Sequence, residues 1–122
     1  MDIDVLPLGN IIVIRPAGRL DNTTSAEFQT RLLQETTAGR DLIVDLATVE
    51  YISSGGLRAL INAAKQKPAN CRLGVTGLHA IVREVFYIAH CEELIPTFGS
   101  LDEARGAWRK PDQPTAGPGK SR

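Results

Sequence analysis

Cysteine, net charge and long apolar runs are all scarce in this sequence. Cys71 and Cys91 are the only cysteines in 122 residues, and neither belongs to a Cys-x-x-Cys pair. A thiol redox motif is therefore absent, and both side chains are expected to remain thiols in a reducing compartment. The basic and acidic side chains balance at 14 each, and residues 1–109 alone carry 11 basic against 13 acidic groups. A slightly acidic body of this kind lacks the clustered basic face of a nucleic-acid binder. The longest apolar runs, such as Ile11–Ile14, fall far short of the roughly 20 residues that cross a bilayer, so direct membrane insertion is not expected. The opening residues Met1-Asp2-Ile3-Asp4 are acidic and lack the basic and apolar regions of a signal peptide, which predicts a cytoplasmic protein.

What is present is enough for one ordinary domain. Apolar residues make up 43% of the chain, sufficient for a core, and 122 residues is a common single-domain length. The domain is expected over residues 1–109. Residues 110–122 hold prolines and glycines and no large apolar side chain, so this stretch is expected to be a disordered tail.

Before the tail, apolar periods of two and of 3.6 alternate. Ile3, Val5 and Leu8 suggest a strand, and Gly9-Asn10 a turn into a second strand at Ile11–Arg15. Leu42–Leu46 is a β-branched run suited to a buried central strand, and Arg72–Thr76 is a further strand. Thr24 and Glu27 have capping-box spacing ahead of Phe28 and Leu32. Leu57, Leu60, Ile61 and Ala64 form one helical stripe, closed by Pro68, while Val82, Phe86 and Ala89 form another. A last helix is expected from Ser100, with Leu101, Ala104 and Trp108 on one side and Trp108 docking it on the body. The expected order is β-β-α-β-α-β-α, with a possible short strand near Thr97-Phe98 and the final helix. Helices between strands favour parallel crossovers, with an antiparallel hairpin at the start.

The most informative stretch runs from Val44 to Arg58. A buried strand ends near Leu46, a short loop follows, and Ser53 or Ser54 stands where the next helix starts. A serine there can accept an orphan backbone N–H. The glycines behind it, Gly55 and Gly56, are expected to leave the backbone uncovered and the hydroxyl reachable. A phosphate placed there would meet the positive end of the helix dipole and free N–H groups. A plain structural cap fits the same residues.

The stretch Asp45-Leu46-Ala47-Thr48-Val49-Glu50-Tyr51-Ile52-Ser53-Ser54-Gly55-Gly56-Leu57 resembles the STAS domain, particularly the bacterial anti-sigma factor antagonists. Gly18-Arg19-Leu20-Asp21 is a second match, to the family's Gly-x-Leu-Asp. The resemblance covers roughly residues 3–109. It implies an α/β fold with a mixed four- to five-stranded sheet, an N-terminal antiparallel hairpin and about four helices. It also implies a switch protein that is not an enzyme and carries no cofactor. In its unphosphorylated form such a protein binds an anti-sigma factor that is also a serine kinase of the histidine-kinase-like ATPase type. The kinase phosphorylates one serine at the helix start, which ends the interaction, and a PP2C-like phosphatase restores it. By position the phosphoacceptor falls on Ser54, with Ser53 as the alternative. Asp21, Ser53, Ser54, Gly55, Gly56, Arg58 and Asn62 are the implied partner-binding residues. Arg58, Asn62 and Lys65 also fit a merely solvated face, Asp21 also fits a helix-entry cap, and Asp45 suits a role in organising the following loop. A different reading of the same family is a constitutive scaffold, for example a subunit of a lipid-transport ATPase complex.

Other chemistries fit less well. A receiver domain needs an acidic pair after its first strand, where this chain has Leu8-Gly9-Asn10. No Gly-x-Ser-x-Gly elbow surrounds either serine, because Tyr51 and Ile52 stand two residues before them. Gly55-Gly56 lacks the lysine of a P-loop. Cys71, His79, His90 and Cys91 do not match a zinc module, so no metal site is expected.

Overall fold

A computed structural model describes residues 1–37 and 39–108. The expected tail at 110–122 lies outside the described residues. Strands β1 (Ile3–Leu8) and β2 (Ile11–Pro16) form an antiparallel hairpin with Leu8 opposite Ile11. The two-residue turn between them puts Gly9 at a φ of +63°, a left-handed value that a glycine adopts without steric cost. The chain continues through β3 (Gly18–Leu20), α1 (Ser25–Thr37), β4 (Asp41–Asp45), β5 (Val49–Ile52), α2 (Ser54–Gln66), β6 (Leu73–Thr76), α3 (Ala80–Ile88), a 3-10 turn at Cys91–Glu93, β7 (Thr97–Phe98) and α4 (Leu101–Ala107). The main sheet has the order β1-β2-β4-β6-β7, and every pairing after the hairpin is parallel. The four helices and the mixed five-stranded sheet agree with the fold expected from sequence, including the short strand at Thr97-Phe98.

Side-chain alternation along the strands divides the core between two faces. Ile12, Ile14, Leu42, Val44, Leu73 and Val75 pack with Phe28 and Leu32 of α1, Leu57, Leu60 and Ala63 of α2, and Val82 and Phe86 of α3. On the opposite face Ile11 and Ile43 meet Ala104 and Trp108, with Phe98 and Leu101 beside them. Trp108 thus anchors the end of α4. Its ring makes an edge contact with Phe98 at a centroid distance of 5.4 Å and passes close over Gly74, where a Cβ would come within 3.0 Å of it. Asp41, buried at the start of β4, takes Arg72 Nη2 at 2.7 Å, and the same nitrogen donates to the Trp108 carbonyl at 3.1 Å.

Three local expectations are corrected. A second, two-stranded parallel sheet of β3 and β5 stands where only a motif and a loop were expected. The Thr24–Glu27 capping box is replaced: Thr24 Oγ1 accepts the Asp21 N–H at 3.0 Å and donates to the Arg19 carbonyl at 2.8 Å. Ala89 follows the end of α3 and is exposed, while Val82 and Phe86 are buried.

Candidate functional site

The small β3–β5 sheet brings two distant segments to one place. The strands run parallel with Leu20 opposite Ile52, so the residues that follow, Asp21-Asn22 and Ser53-Ser54, leave the sheet side by side. The Ser53 N–H donates to the Leu20 carbonyl at 2.8 Å, which extends the ladder by one bond into the helix start.

Ser53 is the N-cap of α2. Its backbone is extended (φ −96°, ψ 176°), and its hydroxyl accepts the Gly56 N–H at 3.3 Å, satisfying one donor of the first turn. Ser54 is the first helical residue and is exposed. Its hydroxyl makes no hydrogen bond with any described residue. The sequence left the two serines interchangeable as caps; the structure gives them separate tasks.

The glycines differ from their expected role. Rather than leaving the backbone uncovered, they form a saddle on which the Leu20–Asn22 segment rests. A Cβ on Gly56 would lie 2.7 Å from the Leu20 carbonyl oxygen and 2.9 Å from Ile52 Cγ1. A Cβ on Gly55 would collide with Asn22 Oδ1. The Ser54 hydroxyl is reachable all the same, because the loop crosses its neighbours and not Ser54 itself.

Asp21 organises that loop. Its Oδ1 accepts the Thr23 N–H at 3.0 Å and the Thr23 hydroxyl at 2.7 Å, and its carbonyl accepts from Ser25 N at 2.8 Å. The Thr23 hydroxyl, then the Thr23 N–H, hold the carboxyl below the usual aspartate range, with Arg19 adding to the effect. Arg19 Nε stands 3.6 Å from Asp21 Oδ2, and its guanidinium lies over the Tyr51 ring at 4.2 Å. Asp21 is therefore both a helix-entry cap and part of the surface beside Ser54.

On α2, Arg58 and Lys65 are exposed, one and three turns beyond Ser54. Asn62 is half-buried and donates to Gln29 Oε1 at 3.3 Å, tying α2 to α1. Asp45 behaves as expected for a loop organiser: its Oδ1 accepts the Ala47 N–H at 3.0 Å, and Arg15 Nε pairs with Oδ2 at 3.0 Å. Both cysteines are buried and free, and burial pushes the Cys91 thiol up. His90, Glu92 and Glu93 hold potential ligand atoms within 4.8 Å of one another on the turn after α3. His90 Nδ1 is already 3.3 Å from Glu93 Oε2, and surface acids commonly group this way without an ion.

Sequence reasoning missed Asn22, whose side chain reaches over Gly55 from outside the serine motif. Its only signal is its place directly after Gly18-Arg19-Leu20-Asp21.

The model of the STAS domain matches residues 2–104. The chain belongs to the STAS domain family. Among relatives, BtrV of Bordetella bronchiseptica, a proposed anti-sigma factor antagonist, is 30% identical over 94 residues that cover 75% of this chain and 81% of BtrV. The crystal structure of an anti-sigma factor antagonist from Mycobacterium paratuberculosis superposes with a TM-score of 0.83 at 21% identity, over 89% of this chain and 94% of that one. The Bacillus cell fate determinant SpoIIAA in its phosphorylated form superposes with a TM-score of 0.67 at 16% identity, over 88% and 100%. At those identities the two structures establish the STAS fold, in which β3–β5 and the N-terminus of α2 are the features around the serine pair. Among the described residues no helix of this STAS domain is long and apolar enough to cross a membrane.

Proposed function

We propose that this chain is an anti-sigma factor antagonist whose binding to an anti-sigma factor is switched by phosphorylation of Ser54. The observation that carries the reading is the division of labour at the start of α2. Ser53 is engaged as the cap, while the neighbouring Ser54 hydroxyl is exposed and unengaged at the first position of α2, beside two glycines packed under the Leu20–Asn22 segment. A group held this way can be modified without dismantling the fold. The relatives named as antagonists, and the phosphorylated form of SpoIIAA, support the assignment of a partner and of a phosphoryl group.

The transfer is a phosphoryl exchange on the kinase. The Ser54 hydroxyl oxygen attacks the γ-phosphorus of ATP, the bond to the β-γ bridging oxygen breaks, ADP leaves, and the hydroxyl proton passes to a base on the kinase. This chain supplies position: Ser54 stands at the N-terminus of a 13-residue helix, whose dipole and free N–H groups stabilise the new phosphate. The product adds about −1.5 to −2 charges at neutral pH. Facing a kinase site lined for nucleotide phosphates, that dianion repels the surface it had docked on. Asp21, Gly55 and Arg58 border the same surface; Gly56, expected there from sequence, is buried beneath Leu20 and serves as its support, and Asn62 ties α2 to α1 behind it. A PP2C-like serine phosphatase would return the hydroxyl by hydrolysis.

The test compares Ser54→Ala and Ser54→Asp with wild type in binding to a histidine-kinase-like serine kinase from the same cells. Like-charge juxtaposition at an interface costs several kcal/mol, so Ser54→Asp should bind roughly 100-fold more weakly. Ser54→Ala should bind and resist ATP-driven release. Equal binding by all three, before and after ATP, would contradict the switch and favour the constitutive scaffold.

A further inference from the structure

A second candidate site lies on the main sheet and is lined by none of the residues around the serine pair. We propose that the cavity beyond the carboxyl ends of β6 and β7 binds a small oxyanion-bearing molecule, a carboxylate or a phosphate ester, through Arg83. The cavity, half open to solvent, holds about 190 Å³ and is lined by Gly77, Leu78, Arg83, Tyr87, Thr97 and Phe98, with Gly99 beside them. Open α/β sheets place ligands beyond the carboxyl ends of their parallel strands, where helix starts and connecting loops leave a crevice. Here α3 forms one wall and the β7–α4 connection the other.

The lining chemistry selects the ligand. Arg83 is exposed and pairs with no carboxylate among the described residues, so its guanidinium is available for a bidentate contact. The Tyr87 hydroxyl and the Thr97 hydroxyl stand 3.3 Å apart, a long contact that either can give up to a stronger acceptor. Leu78 and Phe98 offer an apolar surface beside these donors. Two carboxylates lie against the lining: Glu103 Oε1 accepts the Gly99 N–H at 3.2 Å, and Asp45 Oδ1 stands 2.6 Å from where a Cβ on Gly77 would fall, its charge already paired with Arg15. Arg83, Tyr87 and Thr97 remain as the side-chain donors. The volume sets an upper limit. Sites for drug-sized ligands run to roughly 300–1,000 Å³, so this cavity suits a compact acid and excludes an enclosed nucleotide.

The loop that shapes the entrance is strained in the way functional loops often are. Gly77 has a φ of +79° and Ala80 a φ of +50°, the latter rare for a side chain with a Cβ. His79 between them is held by a 3.0 Å contact from Nε2 to the Ala47 carbonyl, which keeps the loop against the one following β4.

The test uses the full chain labelled with nitrogen-15, titrated separately with benzoate, acetate and inorganic phosphate while amide shifts are followed. The expected result is a saturable shift at Gly77, Leu78, Thr97 and Gly99 with at least one probe. Arg83→Gln should weaken it at least tenfold, and Thr97→Val should weaken it less while leaving the rest of the spectrum intact. Benzoate binding more tightly than acetate would show that Leu78 and Phe98 contribute. The proposal is overturned if no probe gives a saturable shift at these four amides, or if Arg83→Gln binds as wild type does.

Discussion

Two regions of this protein are built on glycines that let something come close, and they differ in what comes close. At Gly56 the visitor is the backbone carbonyl of Leu20, fixed in the β3–β5 ladder. At Gly74, on the far face of the main sheet, the visitors are the rings of Phe98 and Trp108 and the tip of Ile43, all side-chain atoms. Backbone has nowhere to go, whereas side chains can tilt by a few tenths of an ångström. The nearest contact at Gly56 is thus backbone, whereas the docking of α4 rests on adaptable side chains alone. The pairing suits a surface that must present one hydroxyl in one place.

The largest effect should come from the adaptable side, by removing its anchor altogether. Trp108→Ala deletes a side chain that is only 8% exposed and should cost about 3–4 kcal/mol, read as a shift in the denaturant midpoint. The glycines sharpen the contrast. Gly56→Ala should cost about 3 kcal/mol and Gly74→Ala about 1 kcal/mol, since overpacking costs scale with how little the neighbours can move. Equal costs would break the distinction between rigid and adaptable contacts.

The two serines divide stability from recognition. Ser53→Ala removes the cap and should cost about 1 kcal/mol. Ser54→Ala should change stability by less than about 0.5 kcal/mol, as expected of an exposed hydroxyl without partners. The smallest effect concerns pH. Asp21 is held below its ordinary 3.8, so the fold favours its charged form. That contribution is complete above pH 4 and is lost as pH falls through the lowered folded-state value. Asp21→Asn should flatten this part of the acid limb in denaturant midpoints measured between pH 2 and 6.

Much of this architecture was legible because burial imposes a period. The run Leu42–Leu46, the pair Phe28 and Leu32, and Trp108 behind Ser100 all declare which side faces the core. The β3–β5 sheet was not legible, for two physical reasons. Gly18–Leu20 is three residues long and its register against β5 shifts between Gly18 and Arg19, and Val49–Ile52 buries its first and fourth residues, which is not a strand period. Thr24 also misled: its spacing to Glu27 suits a capping box, yet the hydroxyl serves Asp21 and Arg19 instead. The motif located the serine pair, but only the tertiary approach of Leu20–Asn22 explains why Gly55 and Gly56 follow it.

The central claim is that Ser54 and not Ser53 carries the switch. It is tested most directly by peptide mapping of the phosphate on this protein recovered from its native cells under several growth conditions. The account predicts a single phosphate on Ser54, with an occupancy that varies with condition. A phosphate confined to Ser53, the hydroxyl already engaged with Gly56, or none under any condition, would contradict it.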